Sequence, residues 1–585
     1  MYNTASLISQ RLGENEIKEY DRIFAPRIVA TPLEDARRSI CVLPDGEIRV
    51  YGLCNHYAFH QGTPAYIASR DGGLSWIKHY ANEKDIGACV YVPWTKKYVT
   101  VRPFFNPETG KNEIRRYLSD IGPGDTSPDV ATICQRDYID FFQPVVLEDK
   151  KRLIACSHIC ESTKEYAHHY VPTLFISDDG GNTWQIKPLQ SCPRFVQTPP
   201  HQGMRWENNG SEPTLTRLKD GRLWLLLRTA QNYMYECFSY DNGDTWTNPT
   251  PSAFHMTLTT PFALTLQDGR TVLFWNNTHP LPEQDKTKCQ PPLPLSMQNG
   301  TWEDVFTNRD AAHAAITEDC GKTFIGYRET LLNGIRNRVD FRKYGTFFEG
   351  NDKSVHQFQA IELPRNKILV AAGQQSASRR LFIFDLQWLY ETTREETFHE
   401  GMENVSVQGY LKSISGTYTG DGISGHCHWN RIASVLPMPD PAGSPNEALQ
   451  FVYSDDPRLH NGLSGLTWNF PIDKKGRLEL SLYRKSAGVR IRLSDVWINP
   501  TDEYADEVAT FAVDVEKVLP TNEWQTVALE WDLQKGELQC LLDNKIIAVS
   551  KQMHDAPHGV CYVHLQTLAR TRDFDGCYLR SLKKL

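Results

Sequence analysis

The 585-residue sequence predicts an all-β protein in two parts: a six-bladed β-propeller over 1–395 and a C-terminal jelly-roll β-sandwich over 405–585. Three observations predict it. Four segments share the pattern Ser/Thr-x-Asp-x-Gly-x-Thr/Ser-aromatic: Ser69–Trp76, Ser177–Trp184, Ser239–Trp246 and Thr317–Phe324. Six further segments read as strand, tight polar turn and strand. After residue 400 the four-fold pattern stops and long, cleanly alternating strands take over. Self-similarity at such spacing marks a fold built by repetition.

The six hairpins begin at Ala36, Gly87, Phe142, Ser211, Thr260 and His356. Each carries apolar alternation, a polar turn that is often Asp-Gly, and a second apolar run, which is the signature of a two-stranded hairpin. Six such units predict six four-stranded sheets packed radially about a channel. The four Asp-containing turns follow four of these hairpins. In them the Asp and Ser/Thr side chains can bond the turn backbone, the glycine accepts positive φ, and the aromatic packs beneath. The polar stretch 392–404 is the boundary. Beyond it, 477–497 and 522–548 alternate as sandwich strands.

Composition is that of an ordinary globular protein, with 40% hydrophobic and 23% charged residues and a net charge of −8. No long basic run is present, which argues against a nucleic-acid partner. No apolar stretch approaches the length of a membrane span. The N-terminal segment lacks the basic and then apolar plan of a signal peptide, so the expectation is a cytoplasmic protein, or a secreted one if a signal was removed before residue 1. None of the 14 cysteines forms a CxxC pair. Cys134, Cys156, Cys160, Cys237 and Cys540 lie in or beside apolar runs and read as buried thiols. No Cys/His cluster has zinc spacing, and neither metal nor cofactor is expected.

In a propeller, the starts of first strands and the ends of second strands ring one mouth. Here they supply Arg37, Arg38, Gln143, Glu212, His356 and Gln357, and His56, Arg102, His158 and Arg228. Ionisable groups at the ends of apolar strands are costly unless they have work to do.

The four Asp turns match the Asp-box, and the chain resembles the sialidase superfamily of β-propellers. The later segment resembles a laminin-G or concanavalin-type sandwich. In sialidases a Glu opens a strand, a D-G-R-L-type turn follows, and an Arg ends the partner strand. Glu212, Asp220-Gly221-Arg222 and Arg228 occupy those positions. The resemblance implies that Glu212 assists a tyrosine nucleophile and that Arg228 is one of three arginines clamping a substrate carboxylate. Arg37 or Arg38 is the candidate first member, and Arg338, Arg342 or Arg102 the third. The sequence also departs from the family. Ala36-Arg37-Arg38 stands where sialidases begin with Arg-Ile-Pro. His56 and His60 stand where an acid Asp is expected. His356 stands in place of the nucleophilic Tyr, and Tyr344 is the nearest upstream tyrosine.

Histidine works as acid or base near neutral pH without a large shift. The expected function is therefore an exo-acting glycoside hydrolase that removes a terminal carboxylated sugar, sialic-acid-like or uronic, from an acidic glycan. Glu212, His356, His60, His56 and Tyr344 are the candidate catalytic residues. Arg37, Arg38, Arg102, His158, Arg228, Arg338, Gln143 and Gln357 are the candidate binding residues. The alternatives are a uronic-acid lyase working by His/Tyr chemistry and a non-catalytic glycan-binding propeller. The expected partner is the glycan alone, with no nucleic acid and no membrane, and the sandwich is a candidate surface for homo-oligomers.

Overall fold

The computed structural model describes residues 3–33, 39–58, 61–161, 168–196, 208–279, 309, 311–332, 355–373, 378–410, 431–457, 459 and 461–585, leaving aside the side chains of 55–58, 61, 410 and 431. It is nearly all β. Each predicted hairpin is present and opens a sheet, and the sheets are numbered I to VI here in chain order. Sheet I comprises Ile40–Val42, Ile48–Ala58, Gln61–Ser69 and Ile77–Tyr80, and sheet II Val90–Val92, Lys97–Asn106, Lys111–Ser119 and Asp129–Cys134. Sheet III holds Val145–Leu147, Arg152–Glu161, His169–Ser177 and Gln185–Pro188, with Tyr138–Ile139 also paired to its second strand. Sheet IV is Asn209–Arg217, Leu223–Thr229, Tyr233–Ser239 and Thr250–His255, and sheet V Phe262–Thr265, Thr271–Trp275, Ala311–Thr317 and Ile325–Leu332. Sheet VI, Gln359–Leu363, Lys367–Ala372 and Arg380–Asp385, takes its fourth strand from the N-terminus, Arg27–Ala30.

All neighbours within these sheets are antiparallel. A cavity of about 330 Å³ is lined by residues from the first strands of all six sheets, among them Cys41, Tyr91, Val146, Leu215, Leu264 and Ile361. Polar ties cross between those strands. Gln143 donates to the Ile40 carbonyl at 3.0 Å, and the Ile40 N–H donates to Gln359 at 2.9 Å. Apolar clusters fill the spaces between successive sheets, such as Leu147, Leu174, Leu215 and Leu225 between III and IV.

The four Asp turns join the third and fourth strands of sheets I, III, IV and V and share one hydrogen-bond plan. In the third, Ser239 Oγ donates to Asp241 at 2.8 Å, Gly243 N–H donates to Ser239 Oγ at 2.8 Å, and Thr245 N–H donates to Asp241 at 2.8 Å. Trp246 Nε1 closes the turn on the Gly243 carbonyl at 3.1 Å. The fourth position is left-handed in every copy, at φ 73° for Gly72 and Gly180 and 61° for Asn242 and Cys320, and the following glycine is left-handed too. Bonds from Thr245, first its hydroxyl and then its N–H, hold the Asp241 carboxyl down at about 2. Asp241→Ala removes these charge-assisted bonds, and an expected loss of about 2 kcal/mol is measurable by denaturant unfolding.

An antiparallel meander places these turns and the inner hairpin turns at one end of each sheet. The helices Thr4–Ser9 and Glu14–Asp21 cover that end of sheets I and VI, with Arg11 on Asp45 and the Tyr20 hydroxyl on the Gly72 carbonyl. First-strand starts and second-strand ends lie at the other end.

Two further sheets follow. One runs in the order Leu436–Pro439, Glu447–Tyr453, Asp573–Lys584, Lys475–Arg484, Trp524–Asp532, Glu537–Leu542, Lys545–Lys551, and Arg394–Glu396 also pairs with Asp573–Lys584. The other runs Val405–Ser406, Gly465–Asp473, Val560–Thr567, Val489–Ser494, Phe511–Asp514. Their facing sides bury Trp468, Phe470, Leu480, Leu529 and Trp531 in one core. The polar stretch read as a boundary thus already contributes a strand to this second body. Trp497, Cys561 and Tyr562 pack with Trp224, Phe254, Trp275 and Tyr327, so the second body sits on sheets IV and V. Among the twelve described cysteines no disulfide forms. Cys156, Cys237 and Cys540 are buried as expected, whereas Cys134 and Cys160, near strand ends, are half-buried.

Candidate active site

Glu212 sits in the first strand of sheet IV, where the pairing slips between Ser211 and Thr214. Pro213 has no N–H to give the ladder, and Glu212 adopts φ 46°. A bulged, left-handed glutamate is costly and clusters at functional sites, because the surrounding structure has to hold it there. The bulge turns its carboxylate to the end of the partner strand, where Arg228 Nη1 donates to it at 2.7 Å. Both are 5% exposed or less. The Thr260 hydroxyl, at the head of sheet V, donates to the same carboxylate oxygen. From sheet III, His158 accepts the Glu212 N–H on Nδ1 at 3.0 Å, which leaves Nε2 to carry the imidazole proton.

A second group lies on the same chain of contacts. The Leu258 carbonyl, two residues before Thr260, accepts from Arg309 Nη2. Arg309 Nη1 reaches His356 Nε2 at 3.4 Å, and since arginine only donates, Nε2 accepts. Both side chains are fully buried. Gln357, next to His356, is also left-handed at φ 65°. The chain His158–Glu212–Arg228–Thr260, continued through Leu258 to Arg309 and His356, links sheets III to VI. Tyr170, in the third strand of sheet III, lies 5.4 Å ring to ring from His158. Its phenol is pushed well above the ordinary value by burial first and then by the Cys160 thiol.

The structure therefore brings together Glu212, Arg228, His158 and, through Arg309, His356. Arg102 and Gln143 lie elsewhere. Arg102 donates to the carbonyls of Ile86 and Asp85 at 3.2 and 3.3 Å and stacks over Tyr117 at 4.3 Å, while Gln143 is spent on Ile40. Arg37, Arg38, His60, Arg338, Arg342 and Tyr344 lie outside the described residues, as does the side chain of His56, whose backbone is in the strand Ile48–Ala58. Sequence reasoning missed Thr260, Arg309 and Tyr170. Thr260 had a signal, since it opens the fifth hairpin much as Glu212 opens the fourth. Arg309 had none, because in sequence it follows a long Pro-rich stretch with no strand alternation to place it. No group of three or more His, Cys, Asp or Glu among the described residues could hold a metal.

The chain is similar to solved sialidase structures at low identity. A mutant of Trypanosoma rangeli sialidase displaying trans-sialidase activity aligns at 12% identity over 96% of this chain and 91% of that one, with a TM-score of 0.36. A protein of unknown function from Dyadobacter fermentans aligns at 14% identity over 62% of this chain and 97% of that one, with a TM-score of 0.37. No curated protein matches. Residues 142–336 match the family model described as a BNR repeat-like domain. That match covers three of the four Asp turns and the Glu212–Arg228 hairpin.

Proposed function

We propose that sheets I to VI are the blades of a six-bladed propeller of Asp-box type, that the second body is a jelly-roll sandwich, and that the propeller is an exo-acting glycoside hydrolase for a terminal carboxylated sugar. The cavity lined by all six first strands and the N-terminal strand completing sheet VI support the propeller. The observation that carries the activity is the buried Glu212–Arg228 pair on a strained, bulged strand at the mouth end, with histidines from sheets III and VI on the same chain of contacts.

In this reading Arg228 binds the sugar carboxylate, for which a guanidinium fork is suited. Glu212 activates the attacking group, and a histidine protonates the leaving oxygen as the glycosidic C–O bond breaks. Water supplies the oxygen that ends on the anomeric carbon and, on balance, the proton that ends on the leaving group. The same groups fit a lyase, in which His356 removes a proton beside an Arg-neutralised carboxylate. Arg309 against His356 Nε2 weighs against that second reading, since the lone pair a base would use is already taken up by a cation.

The test is a panel of aryl glycosides of acidic sugars together with an oligosaccharide whose uronate is substituted at O4. A hydrolase releases the intact sugar, whereas a lyase releases an unsaturated uronate that absorbs in the ultraviolet. His356→Ala is expected to lower turnover by about 10² or more in either case. Full turnover in folded His356→Ala would remove that residue from the site.

A further inference from the structure

A second cavity, of about 960 Å³, opens between sheets I and II at the same end of the sheets as Glu212 and Arg228. None of the residues of the Glu212 chain lines it. That volume is at the upper end for small-ligand sites, about 300–1,000 Å³. Its walls carry the rings of Tyr51, Phe104 and Tyr117, and two arginines are laid flat on them, Arg102 over Tyr117 at 4.3 Å and Arg115 over Phe104 at 3.6 Å.

The two cations differ in how their charge is answered. Arg115 pairs with Glu113 at 2.8 Å. Arg102 meets only the two main-chain carbonyls, and among the described residues no carboxylate lies within ion-pair distance of it. The nearby Asp85 carboxylate is turned to the N–H groups of Gly87 and Gly124, both at 2.8 Å, and to the Tyr51 hydroxyl at 3.2 Å. A half-buried cation without a counter-charge is costly, and an anionic ligand offsets that cost. Tyr51, Phe104 and Tyr117 give the walls an apolar part beside that cation, the mixed lining common to small-ligand sites.

We propose that this cavity is a second saccharide subsite, which takes an acidic sugar unit adjoining the one at Glu212 and Arg228, with Arg102 binding its anionic group. The proposal rests on the hydrolase reading for the class of ligand.

The test is a calorimetric titration with the non-hydrolysable phenyl 1-thioglucuronide, an S-linked disaccharide of two acidic sugar units, and neutral lactose. The intact protein is expected to bind the acidic disaccharide more tightly than the monosaccharide glycoside, and lactose far more weakly. Arg102→Gln is expected to weaken disaccharide binding by about tenfold or more. Ala81→Trp, which adds bulk at a cavity-wall position that is not a partner of Arg102, is expected to do the same. Disaccharide binding within twofold of the intact protein in both variants, or no acidic-disaccharide binding by the intact protein, overturns the proposal. Failure of the hydrolase reading shows separately, as absent turnover of every acidic aryl glycoside, and leaves the titration readable.

Discussion

Glu212→Gln lowers turnover of the cognate acidic glycoside by about 10³-fold, with most of the loss in kcat. Glutamine keeps the size of the side chain and an acceptor for Arg228 and Thr260. It cannot act as a base, and it no longer answers the Arg228 charge. Removing one partner of a buried pair costs about 3–5 kcal/mol, so the variant also melts earlier. The kinetic measurement is therefore made where circular dichroism shows the variant folded. A folded Glu212→Gln protein with turnover within threefold of the intact chain would take Glu212 out of the chemistry and leave the pair a structural one.

The second large effect is on stability in acid, and part of it comes from the contact between the two bodies. His313 in sheet V accepts the Asn277 N–H at 3.0 Å, and its other nitrogen meets the Tyr562 hydroxyl, which donates to Glu329 at 2.7 Å. Burial pushes His313 down to about 3. His564, in the second body beside Arg492, is pushed to about 3 by burial and then by that cation. A histidine depressed in the fold contributes stability that is whole above its unfolded value, near 6.5, and is lost as pH falls through the interval down to 3. Each pH unit in that interval costs about 1.4 kcal/mol per histidine. Asp502 works in the opposite sense, since burial raises it to about 6, and its contribution grows as pH falls below that value. Between pH 7 and 5 the two histidines remove about 4 kcal/mol and Asp502 returns about 1.4, so these three groups together contribute a loss of about 3 kcal/mol. Denaturant unfolding at the two pH values measures it. His313→Gln, which no longer titrates, is expected to recover about 2 kcal/mol of the pH-dependent loss.

Much of the fold was legible because hairpins announce themselves locally. Alternation and an Asp-Gly turn fix two strands without any distant information, and all six predicted hairpins open sheets. The fourth strand of sheet VI was not legible, because Arg27–Ala30 pairs with residues over 350 positions away and carries no turn signal. Glu212, Arg228 and His158 could be named as mouth residues from their positions at strand ends. That Glu212 would be left-handed, or that His158 would accept its N–H, depends on a pairing slip that alternation does not encode. Arg102 satisfied the same positional rule, yet it faces a separate cavity, because a strand end specifies a rim and not a direction around it.

The most direct test of the account is the rate ratio between an aryl glycoside of a carboxylated sugar and its methyl ester, in the intact protein and in Arg228→Met. If Arg228 binds the carboxylate, the intact protein prefers the free acid by about 10²-fold in kcat/KM, and Arg228→Met abolishes that preference. Equal rates for acid and ester in the intact protein, or an unchanged preference in folded Arg228→Met, would contradict it.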